Sequence, residues 1–260
     1  MRRSREASDK KKRVLFGIIV AGLAAVIAYS GYQMRLIADN NAKEAKTHQR
    51  LLSYKPASLP QRGADAGSQP LAPKANQRIR DLLEKYPDAV GWLTIAGTRI
   101  DYPFAQADDN DFYLHRDLDK GPLFAGTLFM DDQNSRDFSD FNTIIYGHHM
   151  KNGSMFGDLQ KFNDKSFFDA TKTGMIFLAD KTYEVNFFAF AVINPNDPNI
   201  YYPTLAAEAD KVDFLTHVKS ASRYYRDLDV GPDNHLVTLS TCNYEFNNAR
   251  MVLLGLLKEL

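Results

Sequence analysis

HLVTLSTC, residues 235–242, followed by ARMVLLGLL, residues 249–257, is the stretch on which the predicted fold depends. Both segments are apolar and rich in residues that favour strands. If residues 243–249 form a connecting loop, the two strands are antiparallel neighbours, and Cys242 and Arg250 return to the same edge of a sheet. Cys242 is the only cysteine among 260 residues. The first question is therefore what a single thiol does beside an arginine.

Outward from this pair, further strand-like runs dominate the sequence from residue 90 onward, separated by turn residues. Three helical patterns accompany them, at residues 76–88, 154–162 and 205–225, the first with Ile79, Leu82, Leu83 and Tyr86 at helical spacing. Many strands with few helices predict a mainly β (α+β) domain, either a closed barrel or a sandwich, with appended helices. The other strand-like runs are VGWLTI (90–95), TRIDYPF (98–104), GTLFMD (126–131), NTIIYG (142–147), GMIFLA (174–179) and YEVNFFAFAVI (183–193).

The N-terminal region predicts a membrane anchor. Residues 14–30 contain no charge, and residues 32–37 extend their apolar character, so a transmembrane helix is expected over 14–37. A secretory signal peptide is the competing interpretation, but Ala28-Tyr29-Ser30 is a poor cleavage site. Residues 1–13 form a basic tail, which is expected to stay in the cytoplasm and to place residues 31–260 outside it. The apolar run directly behind the tail argues against nucleic-acid binding.

Residues 38–73 are polar and broken by prolines, which is typical of an extracellular spacer, although the segment from Asp39 to Leu52 is also compatible with a continuing helix. The folded domain is then expected over 74–260, the size of one domain with a full core. Lys plus Arg and Asp plus Glu are both 32, so the net charge is zero. Nothing in this balance indicates a polyanionic partner such as nucleic acid.

A lone cysteine in an exported domain cannot form an intramolecular disulfide. It is a buried structural thiol, an intermolecular link or a reactive group. Metal binding is not predicted, because the sequence has no second cysteine and no His-Glu-x-x-His pattern. The acidic segments 108–111 and 130–134 are interpreted as solvated loops rather than calcium ligands, and no cofactor is expected.

A catalytic thiol needs an imidazole nearby, and the sequence offers one at a comparable position. In NTIIYGHHM, residues 142–150, an apolar strand ends and two histidines follow. Gly147 is expected to let the backbone turn there and to project His148 from the strand end. Taken alone, a His-His pair is more often a polar loop, and an arginine that opens a strand is more often a solvated flank. The remaining candidates, His115, His217 and His235, carry no partner signal and are interpreted as structural.

Together these motifs resemble the sortase family. TLSTC followed eight residues later by Arg250 resembles its catalytic motif, and YGHHM-x-x-G-x-MF-x-x-L resembles the histidine motif of its class B branch. VGWLTI, IDYPF-x-Q-x-x-DN-x-FYL and G-x-LFMD-x-x-N match as well, in the family's order over residues 78–258. A long helix before the last strands also points to class B.

The resemblance implies an eight-stranded sortase barrel with an N-terminal helix, and a cysteine transpeptidase of the Gram-positive cell surface. Its substrates would be exported proteins with a C-terminal sorting signal, typically Asn-Pro-x-Thr-x. Carried onto this sequence, Cys242 is the nucleophile, His148 the acid and base, and Arg250 the oxyanion and peptide-positioning group, with His149 the runner-up base. The residues expected to line the peptide groove are Asn110, Leu114, Tyr146, Ile200, Tyr201 and Ser240.

Three alternatives stay open at this point. The acceptor is an amine of peptidoglycan or its precursor, or, in a pilin-polymerising sortase, a lysine side chain. A non-catalytic binding domain on the same scaffold is disfavoured, because Cys242, His148 and Arg250 are all present.

Some class B members have an acidic residue directly after the cysteine, whereas Asn243 and Tyr244 follow here, with Glu245 third. The sequence therefore favours a Cys-His-Arg site over a Cys-His-Asp triad.

Overall fold

The computed structural model describes residues 2–56, 76–194, 197, 199–242 and 249–260. The chain forms two compact units, Met1–Lys46 and Thr47–Leu260. Helix α1 (Arg2–Leu51) accounts for the first unit and contributes its last residues to the second. Among the residues that the structure describes, one helical stretch, Leu15–Tyr54, is long and apolar enough to cross a membrane, and its most apolar window is fully exposed. An N-terminal signal sequence satisfies the same criteria of length and composition.

The second unit is built on one sheet whose strand order is β5-β1-β2-β3-β4-β8-β9-β6-β7. Because β5 also pairs with β6, eight strands close into a barrel, which confirms the eight-stranded fold that the resemblance implied. Strands β2–β3 and β4–β8 are parallel pairs, and the other pairs are antiparallel. The strands are β1 (Ala89–Thr94), β2 (Asp101–Ala105), β3 (Leu128–Met130), β4 (Asn142–His148), β5 (Thr173–Phe177), β6 (Thr182–Ile193), β7 (Tyr224–Tyr225), β8 (Leu236–Cys242) and β9 (Arg250–Glu259).

Burial on both sides of the barrel explains why its strands read as nearly continuous apolar runs. The interior holds one cluster of buried side chains, which includes Phe104, Phe156 and Phe187. Two clusters lie on the outer surface. One contains the buried face of helix α2 (Gln77–Lys85) together with Trp92, and the other contains the buried face of helix α4 (Glu208–Ala221).

The sequence placed the eight barrel strands correctly but missed details of the helices. The segment 154–162 is not one α-helix: a 3₁₀ turn (Gly157–Asn163) is followed by helix α3 (Lys165–Ala170), which begins where Asp164 accepts hydrogen bonds from the next turn. The pattern over 205–225 contains α4 and the short strand β7. In α4 the buried residues are Phe214 and Val218, whereas Val212 is exposed.

Candidate active site

The candidate site is defined by the parallel pairing of β4 and β8. Tyr146 pairs with Ser240, and two residues further along His148 pairs with Cys242. Because neighbouring strands lie roughly 4.8 Å apart, the main chains of His148 and Cys242 are in direct proximity. Both residues are the last of their strands; the sequence predicted this for Cys242, whereas it predicted that β4 ends at Gly147, one residue before His148.

Strand β9 completes the arrangement from the other side of β8. The ladder between β8 and β9 ends at the pair Ser240–Val252, and the Met251 N–H donates to Thr241 Oγ1 at 3.0 Å. The same register, continued by two residues, puts Arg250 opposite Cys242. The predicted antiparallel return is therefore correct, and β8, which ends at Cys242, lies between β4, which ends at His148, and β9, which begins at Arg250. Most of the predicted connecting loop, residues 243–248, lies outside the described residues, and so do Asn243, Tyr244 and Glu245 within it. Ala249, the last residue of that loop, is described.

Gly147 explains why His148 is on the outer side of the barrel. Strand β4 continues through Gly147 to His148, so the predicted turn at this glycine is wrong. Its physical role is close packing: a Cβ atom at Gly147 would lie 2.4 Å from Leu128 Cδ2 and 2.8 Å from Phe156 Cδ2. Residue 147 faces the crowded interior, and by strand alternation its neighbours 146 and 148 face outward.

The His148 imidazole is fixed by a 3₁₀ turn, Phe112–His115, that packs against it. His148 is only 8% exposed, and its Nε2 donates to the Leu114 carbonyl oxygen at 2.7 Å. The His115 ring stacks on the His148 ring, with centroids 5.2 Å apart. Sequence reasoning had assigned His115 a structural role and missed this contact, because no pattern connects two histidines that are so far apart in the chain.

These surroundings lower the pKa of the His148 imidazole. Burial is the main cause, since it penalises the charged ring; the hydrogen bond to Leu114 acts in the opposite direction, and the nearby His115 lowers the pKa further. A histidine with a lowered pKa is mostly neutral at neutral pH, with a minor cationic population. Such a group is able to exchange a proton with a neighbouring reactant in either direction.

His149, the runner-up base, lies just beyond the strand. Its main chain forms an isolated bridge with Met155. Both of its ring nitrogens are buried, and neither has a hydrogen-bond partner among the residues that the structure describes. Of the two histidines, only His148 is in register with Cys242.

Tyr201 connects several of the predicted groove residues. Its hydroxyl lies 3.0 Å from Ser240 Oγ, the Arg250 guanidinium is 5.5 Å from its ring centroid, and its ring stacks on Tyr146 at 6.2 Å. Ile200, in contrast, is fully buried in the cluster beneath α4 and does not reach this surface.

The predicted residues Asn110 and Tyr146 meet at Asp131. Asp131 Oδ2 accepts hydrogen bonds from the Tyr146 hydroxyl at 2.9 Å and from Asn110 Nδ2 at 3.1 Å. Asp131 is 4% exposed, so the interpretation of residues 130–134 as a solvated loop is wrong at this position. In the described part of the chain, no group of three or more His, Cys, Asp or Glu residues is arranged to hold a metal ion.

Comparison with known proteins places this geometry in a family context. The protein-family model described as the sortase domain matches residues 93–258 of this chain. Sortase B of Listeria monocytogenes is 40% identical over 195 residues, which cover 74% of this chain and 78% of the relative. The crystal structure of sortase B from Bacillus anthracis superposes with a TM-score of 0.72 and 28% identity, covering 85% of this chain and 99% of that one. Sortase B from the type II pilus of Streptococcus pneumoniae gives a TM-score of 0.59 and 35% identity, covering 68% and 97%.

Proposed function

This chain belongs to the sortase family, in its class B branch, and on that premise we propose that it cuts a C-terminal sorting signal from exported proteins and joins them to an amine on the cell surface. Sortases are cysteine transpeptidases, so the reaction class is acyl transfer through a thiol. The observation that carries the assignment of roles is the position of Cys242 between His148 on β4 and Arg250 on β9.

In the first step, the Cys242 thiolate attacks the carbonyl carbon of the signal's threonine. The carbon–nitrogen bond of the scissile peptide breaks, His148 gives its proton to the departing amine, and a thioester remains on Cys242. The deep burial of His148 and its hydrogen bond to Leu114 support this role, because they fix the orientation of the imidazole, and the lowered pKa makes its cationic form a stronger acid.

In the second step, an acceptor amine attacks the thioester carbonyl. His148 takes the proton that this amine loses, the carbon–sulfur bond breaks, and the thiolate is restored. Arg250 is proposed to stabilise the oxyanion that forms in each step, since a guanidinium presents several fixed donors. Its contact with the Tyr201 ring supports this role by limiting the orientations of the side chain.

The peptide groove is proposed to follow the outer surface beside β4 and β8. Tyr146, Ser240 and Tyr201 contact one another there, and Leu114 borders the site through its bond to His148. Asn110 joins this surface through Asp131, whereas Ile200 supports Tyr201 from below.

We further propose that residues 14–37 anchor the enzyme in the cell membrane. In this arrangement the basic residues 1–13 are cytoplasmic, residues 38–73 act as a spacer, and the catalytic domain, assigned to 74–260, is extracellular. Residues from Thr47 onward belong to the same compact unit as this domain, and Leu51 lies in its buried cluster, so the spacer is shorter than the proposed range. The exposed apolar helix and the preceding basic cluster support this orientation. An enzyme held there meets exported substrates as they leave the membrane.

The proposed acceptor is an amine of peptidoglycan or its precursor. A lysine of a pilin subunit is the second candidate, and the similarity to a sortase B from a pneumococcal type II pilus favours keeping it. Both acceptors use the same thioester, so the groups described above serve either reaction.

The direct test is to trap the thioester. The full chain in detergent is incubated with a set of Asn-Pro-x-Thr-x peptides, quenched with acid and measured by intact-protein mass spectrometry. We expect one acyl adduct on the wild type and none on Cys242→Ala. Absence of an adduct with every peptide, or an adduct that persists in Cys242→Ala, contradicts the proposal. Adding a triglycine amine or a pilin-derived lysine peptide then compares the two acceptors.

A further inference from the structure

Asp131 is a buried carboxylate that the proposed reaction does not use directly. It follows strand β3, is 4% exposed, and accepts hydrogen bonds from the Tyr146 hydroxyl, from Asn110 Nδ2 and from the main-chain N–H of Gln133. A carboxylate out of water is stable only when donors surround it, and three donors do so here. Two of them belong to residues of the proposed peptide groove.

This arrangement fixes which atoms Asn110 offers to a ligand. One amide hydrogen of Asn110 points to Asp131 Oδ2 and the other to Asp132 Oδ1, at 3.1 and 3.0 Å. Asn110 Oδ1 accepts from the main-chain N–H of Asp132 at 3.0 Å and, as a carbonyl oxygen, has a second lone pair. With both hydrogens engaged, the side chain presents an acceptor rather than a donor.

Tyr146 is constrained in the same way. Its hydroxyl hydrogen is directed to Asp131, so the phenol oxygen has lone pairs for another partner. Burial, together with the negative charge of Asp131, raises the pKa of Tyr146, which keeps the phenol protonated and donating. Its ring stacks on Tyr201, and Tyr201 contacts Ser240 and Arg250. The orientation of Tyr146 therefore affects the position of Tyr201 beside the candidate nucleophile.

We propose that Asp131 is a positioning residue for substrate recognition, which turns Asn110 and Tyr146 into paired hydrogen-bond acceptors for N–H groups of the sorting peptide. The inference rests on the proposed function, since it concerns the same groove. It specifies that this part of the groove selects donors, such as backbone amides or a side-chain carboxamide NH₂, and rejects a ligand that offers only carbonyl or carboxylate oxygens.

The test compares Asp131→Asn with wild type, using the full chain in detergent and a fluorogenic Asn-Pro-x-Thr-x peptide. An amide has one acceptor oxygen where the carboxylate has two, so it does not accept from Asn110, Tyr146 and the Gln133 N–H together, and the two side chains lose part of their fixed orientation. We expect KM for the peptide to rise roughly ten-fold, with kcat little changed, since hydrogen bonds to charged groups have about this effect on affinity.

A matched control variant distinguishes a role of Asp131 in positioning the groove residues from a role in stabilising the loop. Asp140 accepts from Asn134 Nδ2 and from the Ser135 N–H in the same loop, and among the described residues no hydrogen bond links its carboxylate to Asn110 or Tyr146. Asp140→Asn should therefore lower the melting temperature without raising KM. If both variants raise KM equally, Asp131 acts only through loop stability and the proposal is wrong.

Peptides N-methylated at one backbone amide at a time test the acceptors themselves. At least one such peptide should lose affinity for the wild type, and the loss should be much smaller in Tyr146→Phe or Asp131→Asn. Equal losses in all three proteins contradict the inference. Tyr146→Phe also serves if Asp131→Asn does not fold: an unchanged KM in this variant overturns the proposal.

The experiments give different results if the proposed function is wrong and if only this inference is wrong. A wild-type chain that forms no thioester with any peptide removes the transpeptidase assignment and this inference together. An active wild type with an unchanged KM in Asp131→Asn removes the inference alone.

Discussion

His148 and Arg250 lie on opposite sides of the same strand: His148 is the last residue of β4, Arg250 is the first of β9, and β8 with Cys242 runs between them. The site is thus a row of three strand ends, in which the candidate nucleophile is central. Because each neighbour comes from a different strand, removing either one should leave the other in place.

Replacing His148 by alanine should lower kcat/KM for peptide cleavage about 10²–10⁴-fold, the usual effect of losing a general acid and base. His149→Ala should retain most of the activity, because His149 is not in register with Cys242. Both variants are assayed with the fluorogenic peptide and checked by circular dichroism. The reverse order of effects would move the acid–base role to His149.

Arg250→Lys should lower kcat roughly 10²-fold or more, the range observed when one oxyanion donor is lost. Lysine keeps the charge but neither the planar group that stacks on Tyr201 nor its fork of donors. Arg223→Lys is the matched control, since that guanidinium contacts Asn163 instead. If Arg250→Lys is as active as the control, charge alone is sufficient at this position.

His115→Phe should raise the pKa of His148. The phenyl ring preserves the stacking surface but removes the imidazole whose electrostatic interaction lowers the pKa of His148. Histidine-selective NMR titration in a Cys242→Ala background measures this pKa without coupling to the thiol. In the active enzyme, the alkaline limb of kcat/KM should move to higher pH, because His148 keeps its proton longer.

The control for this titration is His235→Phe, at the opposite end of β8, where the ring contacts the Asp140 carbonyl. It should leave the His148 titration unchanged. An equal shift in both variants, or no shift in His115→Phe, would show that the stacked ring does not influence His148.

Gly147→Ala should destabilise the barrel by about 1–3 kcal/mol, the usual effect of overpacking a filled core. The new methyl group would press on Leu128 and Phe156. Gly231→Ala is a suitable control, since a Cβ atom there meets nothing within 4 Å. Urea unfolding followed by tryptophan fluorescence reports on Trp92, the single tryptophan. Equal midpoints for the two variants would contradict the packing argument.

The strands and their order along the chain were predictable because the barrel is buried on both faces, which leaves long apolar runs between turns. The short strand β7 was not, since two tyrosines at the end of a helical pattern carry no periodic signal. The sequence correctly indicates that residue 147 must be glycine, but it predicts a turn there instead of close packing. The side chains of Leu128 and Phe156 crowd this position only in the folded chain, so the sequence gives no sign of them.

The same limit applies to the candidate site. Cys242, His148 and Arg250 each have a local signature, and the structure supports their proximity. His115 and Asp131 have none: one looks like an isolated loop histidine and the other like part of a solvated acidic run. Their contacts, with His148 and with Asn110 and Tyr146, depend on chain crossings that no local pattern encodes.

The central position of β9 has a consequence for when the thiol becomes reactive. This strand, Arg250–Glu259, pairs with both β8 and β6. The parallel partner of β8 was synthesised almost a hundred residues earlier, and such distant pairings form late in folding. The end of β8 that carries Cys242 therefore has neighbours on both sides only when β4 and β9 have joined it, and the thiol gains Arg250 as a neighbour at that point.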